Sequence, residues 1–322
     1  MKAIQIQRFG GPEVMELRDL PTPSPGPGQV LVQQAAIGVN FIDIYRRTGL
    51  YPVELPSVPG MEGAGTVEAL GPEVRGTRTG DRVTYVNVPG TYAEAVIVPA
   101  DRLVPIPRGV TFEQAAAAML QGMTAHYLAF DTYPIRKGNW ILVHAAAGGV
   151  GLLLVQVARM RGARIIATVS SPEKAALARQ AGAHDVILYM EQDFVAGVKE
   201  LTGGSGVQAV YDSVGKTTFL KGLDCLSPRG TMVSFGQSSG KVDAIEPGLL
   251  SAKGSLYLTR PTLGHYIPDA GSLRRRAGTV LGWVARGALE LRIGATFPLA
   301  DAAKAHRSLE GRATTGKVLL LP

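Results

Sequence analysis

The chain has 322 residues, 46% hydrophobic and 18% charged, with a formal net charge of +7. At about 100–200 residues per domain, this length makes roughly two domains, each able to bury a core. High apolar content with low charge excludes disorder, and 40 Gly and 21 Pro without a three-residue period exclude collagen. A single cysteine, Cys225, excludes a disulfide framework and a multi-cysteine zinc lobe, and points to a reducing, cytoplasmic setting. The excess positive charge is compatible with an anionic ligand and demands none.

The start, Met1-Lys2-Ala3-Ile4-Gln5-Ile6, reads as a strand and not as a secretory signal. Short strand-like runs follow, broken by Pro and Gly: Ala3–Gln7, Val30–Ile37, Gly65–Glu68, Arg82–Val86 and Glu94–Val98. The segment from Pro21 to Gly28, with a proline at every second place as far as Pro27, is a loop because Pro removes donors and fixes φ. Many short strands with turns between them predict a small, partly open barrel.

From about Met123 the rhythm becomes strand then helix. Trp140–His144 is an apolar run of strand length, and Val150, Leu153, Leu154, Val157 and Ala158 then recur at helical spacing until Gly162. That apolar stretch is too short for the roughly 18 residues of a membrane span. Arg164–Val169 reads as a strand, and Ser171-Pro172 opens a helix with a capping residue and a first-turn proline. Asp185–Leu188, Val207–Tyr211, Gly230–Phe235 and Ser255–Leu258 supply further strands, so the alternation predicts a doubly wound parallel sheet. Beyond Pro261 come a helix near Asp269–Gly287, a mixed segment, a helix at Leu299–Gly311 and a strand at Lys317–Leu321. That tail is too small to stand alone and is expected to rejoin the first barrel. The domains are therefore placed at 1–122 with 262–322, and 123–261.

The strongest local signal is His144-Ala145-Ala146-Ala147-Gly148-Gly149-Val150-Gly151, between a strand and an amphipathic helix. That is the context of a dinucleotide fingerprint. Gly148 and Gly151 fit the second and third glycines, Ala146 stands at the first, and the helix start at Gly149 and Val150 offers amides and a positive dipole end to a pyrophosphate. The next strand ends Thr168-Val169-Ser170-Ser171, without the Asp or Glu that holds an NAD ribose. Lys174 in the following helix turn would meet a 2′-phosphate, so NADPH is the expected cofactor.

With a barrel and an inserted nucleotide domain in view, the motifs become recognisable. Gly10-Gly11-Pro12-Glu13-Val14, Gly38-Val39-Asn40-Phe41-Ile42-Asp43, the His144–Gly151 turn with Gln156 and Arg159, Tyr211-Asp212-Ser213-Val214-Gly215 and Gly316-Lys317-Val318-Leu319-Leu320 span nearly the whole chain. Together they closely resemble the NADPH-dependent quinone oxidoreductases, the zeta-crystallin-like, zinc-free branch of the medium-chain dehydrogenases/reductases. The resemblance implies a GroES-like barrel carrying an inserted Rossmann domain. In zinc-dependent cousins a Cys follows the Gly-Val pair and a Gly-His-Glu supplies another ligand. Here those places read Gly38-Val39-Asn40 and Gly60-Met61-Glu62, so no metal is expected.

The resemblance assigns Asn40, Tyr45 and Tyr51 to the acceptor next to the nicotinamide, as candidate oxyanion donors. It gives Lys174, Tyr189 and Arg312 to the 2′-phosphate, with Ser170 standing where an acid would repel that phosphate, and Phe235-Gly236-Gln237 to the nicotinamide ribose, where the family often has Asn in place of Gln237. Thr124 and Ser213 are placed near the cofactor. The five histidines are scattered and suggest no metal site.

The implied reaction is reduction of a quinone or a related electron-poor carbonyl compound by NADPH. An NADPH-dependent enone or alkenal reductase is the nearest alternative. A non-catalytic RNA-binding or crystallin-like role is another, to which Arg274-Arg275-Arg276 lends only a basic helix face. Neither membrane nor nucleic acid is expected as a partner. The superfamily implies a homodimer paired through the last strand of the nucleotide domain, here Gly254–Leu258.

Overall fold

The computed structural model describes Met1–Pro322. In chain order, β1 (Lys2–Ile6) and β2 (Met15–Asp19) form an antiparallel pair. Next come β3 (Gln29–Val39), the short helix α1 (Phe41–Arg47), β4 (Glu62–Leu70), β5 (Arg82–Val86), β6 (Ala95–Pro99), the two-residue β7 (Val104–Pro105) and α2 (Phe112–Tyr127). The alternating stretch runs β8 (Trp140–His144), α3 (Gly149–Met160), β9 (Arg164–Val169), α4 (Pro172–Ala181), β10 (Asp185–Leu188) and α5 (Phe194–Leu201). It continues through β11 (Val207–Asp212), α6 (Phe219–Leu223), β12 (Leu226–Ser234), α7 (Gly248–Ala252) and β13 (Tyr257–Thr259). The order ends with α8 (Ala270–Ala285), β14 (Ile293–Pro298), α9 (Ala302–Glu310) and β15 (Lys317–Leu321).

The chain divides into two compact units, Met1–Met123 with Ile267–Pro322, and Thr124–Tyr266. The second boundary falls after Tyr266, not after residue 261. Tyr266 stacks on Tyr127 with ring centroids 4.1 Å apart, and its hydroxyl hydrogen-bonds that of Thr132, which ties residues 262–266 to the nucleotide unit.

In the Thr124–Tyr266 unit the strands form one parallel sheet in the order β10-β9-β8-β11-β12-β13. The chain starts in the middle and winds outward both ways, so the order reverses between β8 and β11. Doubly wound sheets bind ligands at the carboxyl ends of the strands flanking that point. Ile141, Leu142 and Val143 on β8 and Ile165, Ile166 and Ala167 on β9 are fully buried, as continuous apolar runs require when both sheet faces are covered. Helix α4 is capped by Ser171, carries Pro172 in its first turn and stops at Gly182, whose φ of 111° favours a residue without Cβ.

In the first unit β3 is the pivot of a seven-stranded sheet ordered β14-β15-β3-β4-β5-β7. One edge of β3 pairs with β4. The other takes β6 along Gln29–Gln33 and then β15 along Ile37–Val39. The carboxyl-terminal tail thus rejoins the first sheet, with the mixed segment supplying β14, parallel to β15. Ile4, Ile6, Ile37, Val39, Val318 and Leu320 fill one core at that end of β3, and Val30, Val32, Val67, Val83 and Val98 fill another at the opposite end.

Candidate active site

The glycine turn sits at the carboxyl end of β8. Gly148 caps α3 without a side-chain hydrogen bond, and the first amide of the turn to find a helical acceptor is Leu152 N–H, on Gly148 O at 2.9 Å. The amides of Gly149, Val150 and Gly151 ahead of it have no protein acceptor, so they form a ready anion site with the helix dipole behind them. A Cβ on Gly151 would lie 2.4 Å from Ala145 O and 2.8 Å from Ala146 Cα, so helix and turn touch backbone to backbone there. This cradle fits a dinucleotide pyrophosphate. One detail differs from the sequence reading: the left-handed residue of the turn is Ala145, at φ 51°, and not Ala146, which is fully buried behind it. The tight-turn role of the first glycine therefore falls on Ala145, at the steric cost that any L-residue carries in that region.

At the neighbouring strand ends, Lys174 Nζ lies 3.3 Å from Ser170 Oγ, and Tyr189 N–H donates to Val169 O at 3.2 Å. Ser170, Lys174 and Tyr189 thus gather at the carboxyl ends of β9 and β10. No acid stands at the end of β9. The nearest, Glu173, is held below the usual carboxylate range by the Ser171 hydroxyl. On the other side of the reversal, Asp212 accepts from Val214 N–H (2.7 Å), Gly215 N–H (3.1 Å) and Thr218 Oγ1 (2.9 Å), which fixes the loop carrying Ser213. A Cβ on Gly236 would meet Ser213 O at 2.5 Å, so the Phe235-Gly236-Gln237 loop lies directly against it. Thr124 begins this unit and is buried. Of the residues assigned to the cofactor, Arg312 alone belongs to the other unit, just past α9, with φ 56°. His144 is buried, bonded through Nδ1 to Thr168 Oγ1 at 2.8 Å, and held toward the neutral form by desolvation.

The first unit contains a buried polar network that the sequence did not announce. Asn40 stands at the N-cap position of α1, where its backbone N–H donates to Asp43 Oδ2 at 2.8 Å. Its Nδ2 donates to Glu62 Oε1 at 2.6 Å and to Gly38 O at 3.4 Å, while its Oδ1 accepts from Lys317 Nζ at 2.9 Å and Gln121 Nε2 at 3.4 Å. Lys317 also pairs with Glu62, whose other oxygen accepts Leu120 N–H at 2.6 Å. Lysine only donates and an ionised carboxylate only accepts, so the orientation of the Asn40 amide is determined. Both its protons are committed, and in this conformation Asn40 presents no donor to an acceptor molecule. It bridges Glu62 and Lys317 instead.

A second branch continues from Asp43. Arg47 Nη1 donates to His306 Nδ1 at 3.1 Å, which leaves the proton of the neutral ring on Nε2, facing Tyr92 OH at 3.0 Å; Tyr92 OH in turn donates to Asp43 Oδ2 at 3.0 Å. Arg47 is anchored by Glu310. Burial raises the Asp43 carboxyl to about 7 and depresses His306 to about 3, the latter helped by the Arg47 charge. Asp43 Oδ1 is buried and has no partner.

Tyr45 on α1 and Tyr51 just beyond it are brought together edge to face, with centroids 5.3 Å apart and Tyr51 N–H bonded to Tyr45 O at 3.0 Å. Met61 is buried and meets α1 through Arg46, whose Nη1 contacts its sulfur. The two positions matched to metal ligands therefore carry an amide already bonded to an ammonium and a thioether facing a guanidinium. Two cations at those places oppose a third, and no group of three or more His, Cys, Asp or Glu is arranged to hold a metal.

Comparison with known proteins agrees with this geometry. Residues 26–108 match the family described as "Alcohol dehydrogenase GroES-like domain" and 149–267 the one described as "Zinc-binding dehydrogenase". The quinone oxidoreductase of Pseudomonas aeruginosa is 51% identical over 323 residues, covering 100% of this chain and 99% of that protein. A 2-haloacrylate reductase from a Burkholderia species is 42% identical, covering 99% of this chain and 98% of that protein. The crystal structure of the Escherichia coli quinone oxidoreductase complexed with NADPH superimposes with a TM-score of 0.98 at 44% identity, with all of both chains covered. Full-length identity at this level, on a GroES-like sheet bearing an all-parallel Rossmann sheet, shows that the chain belongs to the quinone oxidoreductase family of the medium-chain dehydrogenases/reductases.

Proposed function

We propose that the protein is an NADPH-dependent, zinc-independent oxidoreductase that reduces quinones and related electron-poor carbonyl compounds. One observation carries the cofactor part of this reading: three partnerless amides at Gly149–Gly151 stand beside a strand end where Ser170 and Lys174 replace the expected acid. NADPH, when bound, supplies the hydride. The amides of α3 hold its pyrophosphate, Ser170, Lys174, Tyr189 and Arg312 hold the 2′-phosphate, and Thr124, Ser213 and the Phe235-Gly236-Gln237 loop fix the nicotinamide end. Tyr45 and Tyr51 are the hydroxyl donors to the acceptor oxygen, where negative charge develops as it is reduced. Asn40 acts on the acceptor indirectly, its backbone N–H bonded to Asp43 at the start of the helix that carries Tyr45. The 42% identical relative named a 2-haloacrylate reductase favours, as a second reading, reduction of an activated carbon–carbon double bond. Product analysis separates the two, since that reaction leaves a new C–H bond and quinone reduction does not.

The cofactor assignment has a direct test. A charge-assisted hydrogen bond contributes about 1.5–3 kcal/mol, so two or more contacts to the 2′-phosphate predict an NADPH over NADH preference of about a hundredfold in kcat/KM. Lys174→Ala is expected to cut that preference ratio by about tenfold in steady-state assays with both cofactors. Equal use of the two cofactors by the parent protein defeats the assignment, and an unchanged ratio in the variant removes Lys174 from the phosphate grip.

We also place the protein in the cytoplasm and infer that it forms a homodimer. No helix is long and apolar enough to cross a membrane. β13 is an edge strand with Tyr257 62% and Leu258 40% exposed, a liability that pairing with a second copy removes. Light scattering is expected to give twice the 33.9 kDa chain mass, and a concentration-independent monomer contradicts this.

A further inference from the structure

Helix α1 offers more than Tyr45. Phe41, Tyr45 and Tyr51 form a run of rings, with centroids 6.2 Å apart for the first pair and 5.3 Å for the second. Next to Tyr45 stands Arg46, half-buried on the same short helix. The neighbouring Arg47 is fully engaged, by Glu310, His306 and Gly10 O. Arg46 is treated quite differently. Its one contact is the Met61 sulfur, a weak acceptor, and no carboxylate or carbonyl receives the rest of its guanidinium. A guanidinium is a rigid fork of five donors whose natural complement is a planar oxyanion group, held two-pronged. An arginine partly withdrawn from water, with a soft neighbour and most donors unengaged, is poised for an anion from outside the chain.

We propose that the acceptor this protein takes best is a planar, unsaturated carbonyl compound carrying a carboxylate, and that Arg46 receives that carboxylate while the Phe41–Tyr45–Tyr51 rings lie against its flat body. This rests on the reading of α1 as the acceptor-facing helix. It separates Arg46, which selects the acceptor, from Tyr45 and Tyr51, which serve the reaction itself. The fully buried Lys317 does not compete for the anion, because Glu62 and Asn40 already surround its ammonium.

The test compares two benzoquinones identical except that one bears a carboxylate at the end of a short side chain and the other a methyl ester. With NADPH as donor, the parent protein is expected to favour the carboxylate in kcat/KM by about ten- to hundredfold, the range of one charge-assisted pair. Arg46→Met should bring that ratio to near one, and Arg46→Lys, a point charge without the fork, should keep part of it. If Arg46→Met lowers kcat/KM equally for both quinones and leaves the ratio intact, Arg46 merely supports α1 and the proposal falls. It falls as well if the parent protein shows no preference. If neither quinone is reduced, the proposed function fails, and the anion site is then judged by calorimetric titration of the carboxylated quinone into the NADP⁺-saturated protein. Binding about tenfold or more tighter to the parent than to Arg46→Met upholds it, and equal dissociation constants overturn it.

Discussion

Asp43→Asn and His306→Gln will tilt the pH dependence of stability in opposite directions. In the folded protein Asp43 titrates near 7 against an ordinary value of 3.8, because burial disfavours its charged form. Between those values the folded state keeps a proton that the unfolded chain has released. Its contribution to stability is complete below 3.8 and disappears as pH rises through about 7. His306 behaves inversely, titrating near 3 against 6.5, so its contribution is complete above 6.5 and disappears as pH falls through about 3. From about pH 4 to about 6.5 each group changes stability by about 1.4 kcal/mol per pH unit, with opposite signs, and the pair cancels. Asp43→Asn keeps an amide oxygen for Tyr92 and the Asn40 N–H and removes one side of the balance. Relative to the parent, it is expected to lose about 2–3 kcal/mol on acidification over two pH units. His306→Gln retains an acceptor for Arg47 and a donor for Tyr92, and is expected to lose a similar amount as pH rises over the same interval. Urea unfolding at about pH 4.5 and about pH 6.5 measures both differences, and other titrating groups drop out of the comparison with the parent. Profiles parallel to the parent in both variants refute the account. Lys317, Glu62, Arg47 and Glu310 also face this network, and because they are common to all three proteins they shift the curves without changing the sign of the difference.

Lys317→Met is expected to destabilise the protein by about 3–5 kcal/mol, because it strands the Glu62 carboxylate without a counter-ion. Lys317 is 2% exposed and Glu62 fully buried, so water cannot replace the lost partner. Adding Glu62→Gln should restore part of the loss, since no charge is left unmatched, while the single amide oxygen accepts from only one of Asn40 Nδ2 and Leu120 N–H, which bond separate carboxylate oxygens in the parent. Chemical unfolding of the two single variants and the double variant supplies the cycle. A loss below about 1 kcal/mol in Lys317→Met, or a double variant no better than the single, is the outcome that contradicts a buried ion pair.

The nucleotide unit was largely legible because parallel strands buried on both faces leave unbroken apolar runs. Trp140–His144, Arg164–Val169 and Asp185–Leu188 begin and end where the sequence places them. Helix α1 was not legible. It has seven residues, and the side chains it buries include Asp43 and Arg47, so its inner face carries no apolar stripe. Helix α2 escaped for the opposite reason: Ala115 to Met119 are buried on every side, which erases the periodic signal. In the site, the glycine turn and the Ser170–Lys174 pair followed from residue types at fixed spacing. The shift of the left-handed residue from Ala146 to Ala145 did not, because alanine gives no sign of that conformation. Lys317 opens an otherwise apolar strand, where lysine reads as an exposed end. What showed it to be buried was Glu62 across the sheet, a pairing no local pattern contains. The same network turns Asn40 from an acceptor-facing donor into a bridge between Glu62 and Lys317, since its chemistry is set by neighbours far away in sequence.

The pairing of β15 with β3 also sets a timetable for synthesis. Glu62 and Lys317 are 255 residues apart, and the whole parallel sheet is encoded between them. At roughly 5–20 residues per second on the ribosome, Glu62 emerges tens of seconds before its cation. The nucleotide unit, a continuous run of chain, is synthesised entirely in that interval, while β3 waits with one edge open at Ile37–Val39 and Glu62 on β4 lacks its cation. Completion of the first unit, and with it the Glu62–Lys317 pair beside α1, therefore comes after the whole nucleotide unit has been synthesised.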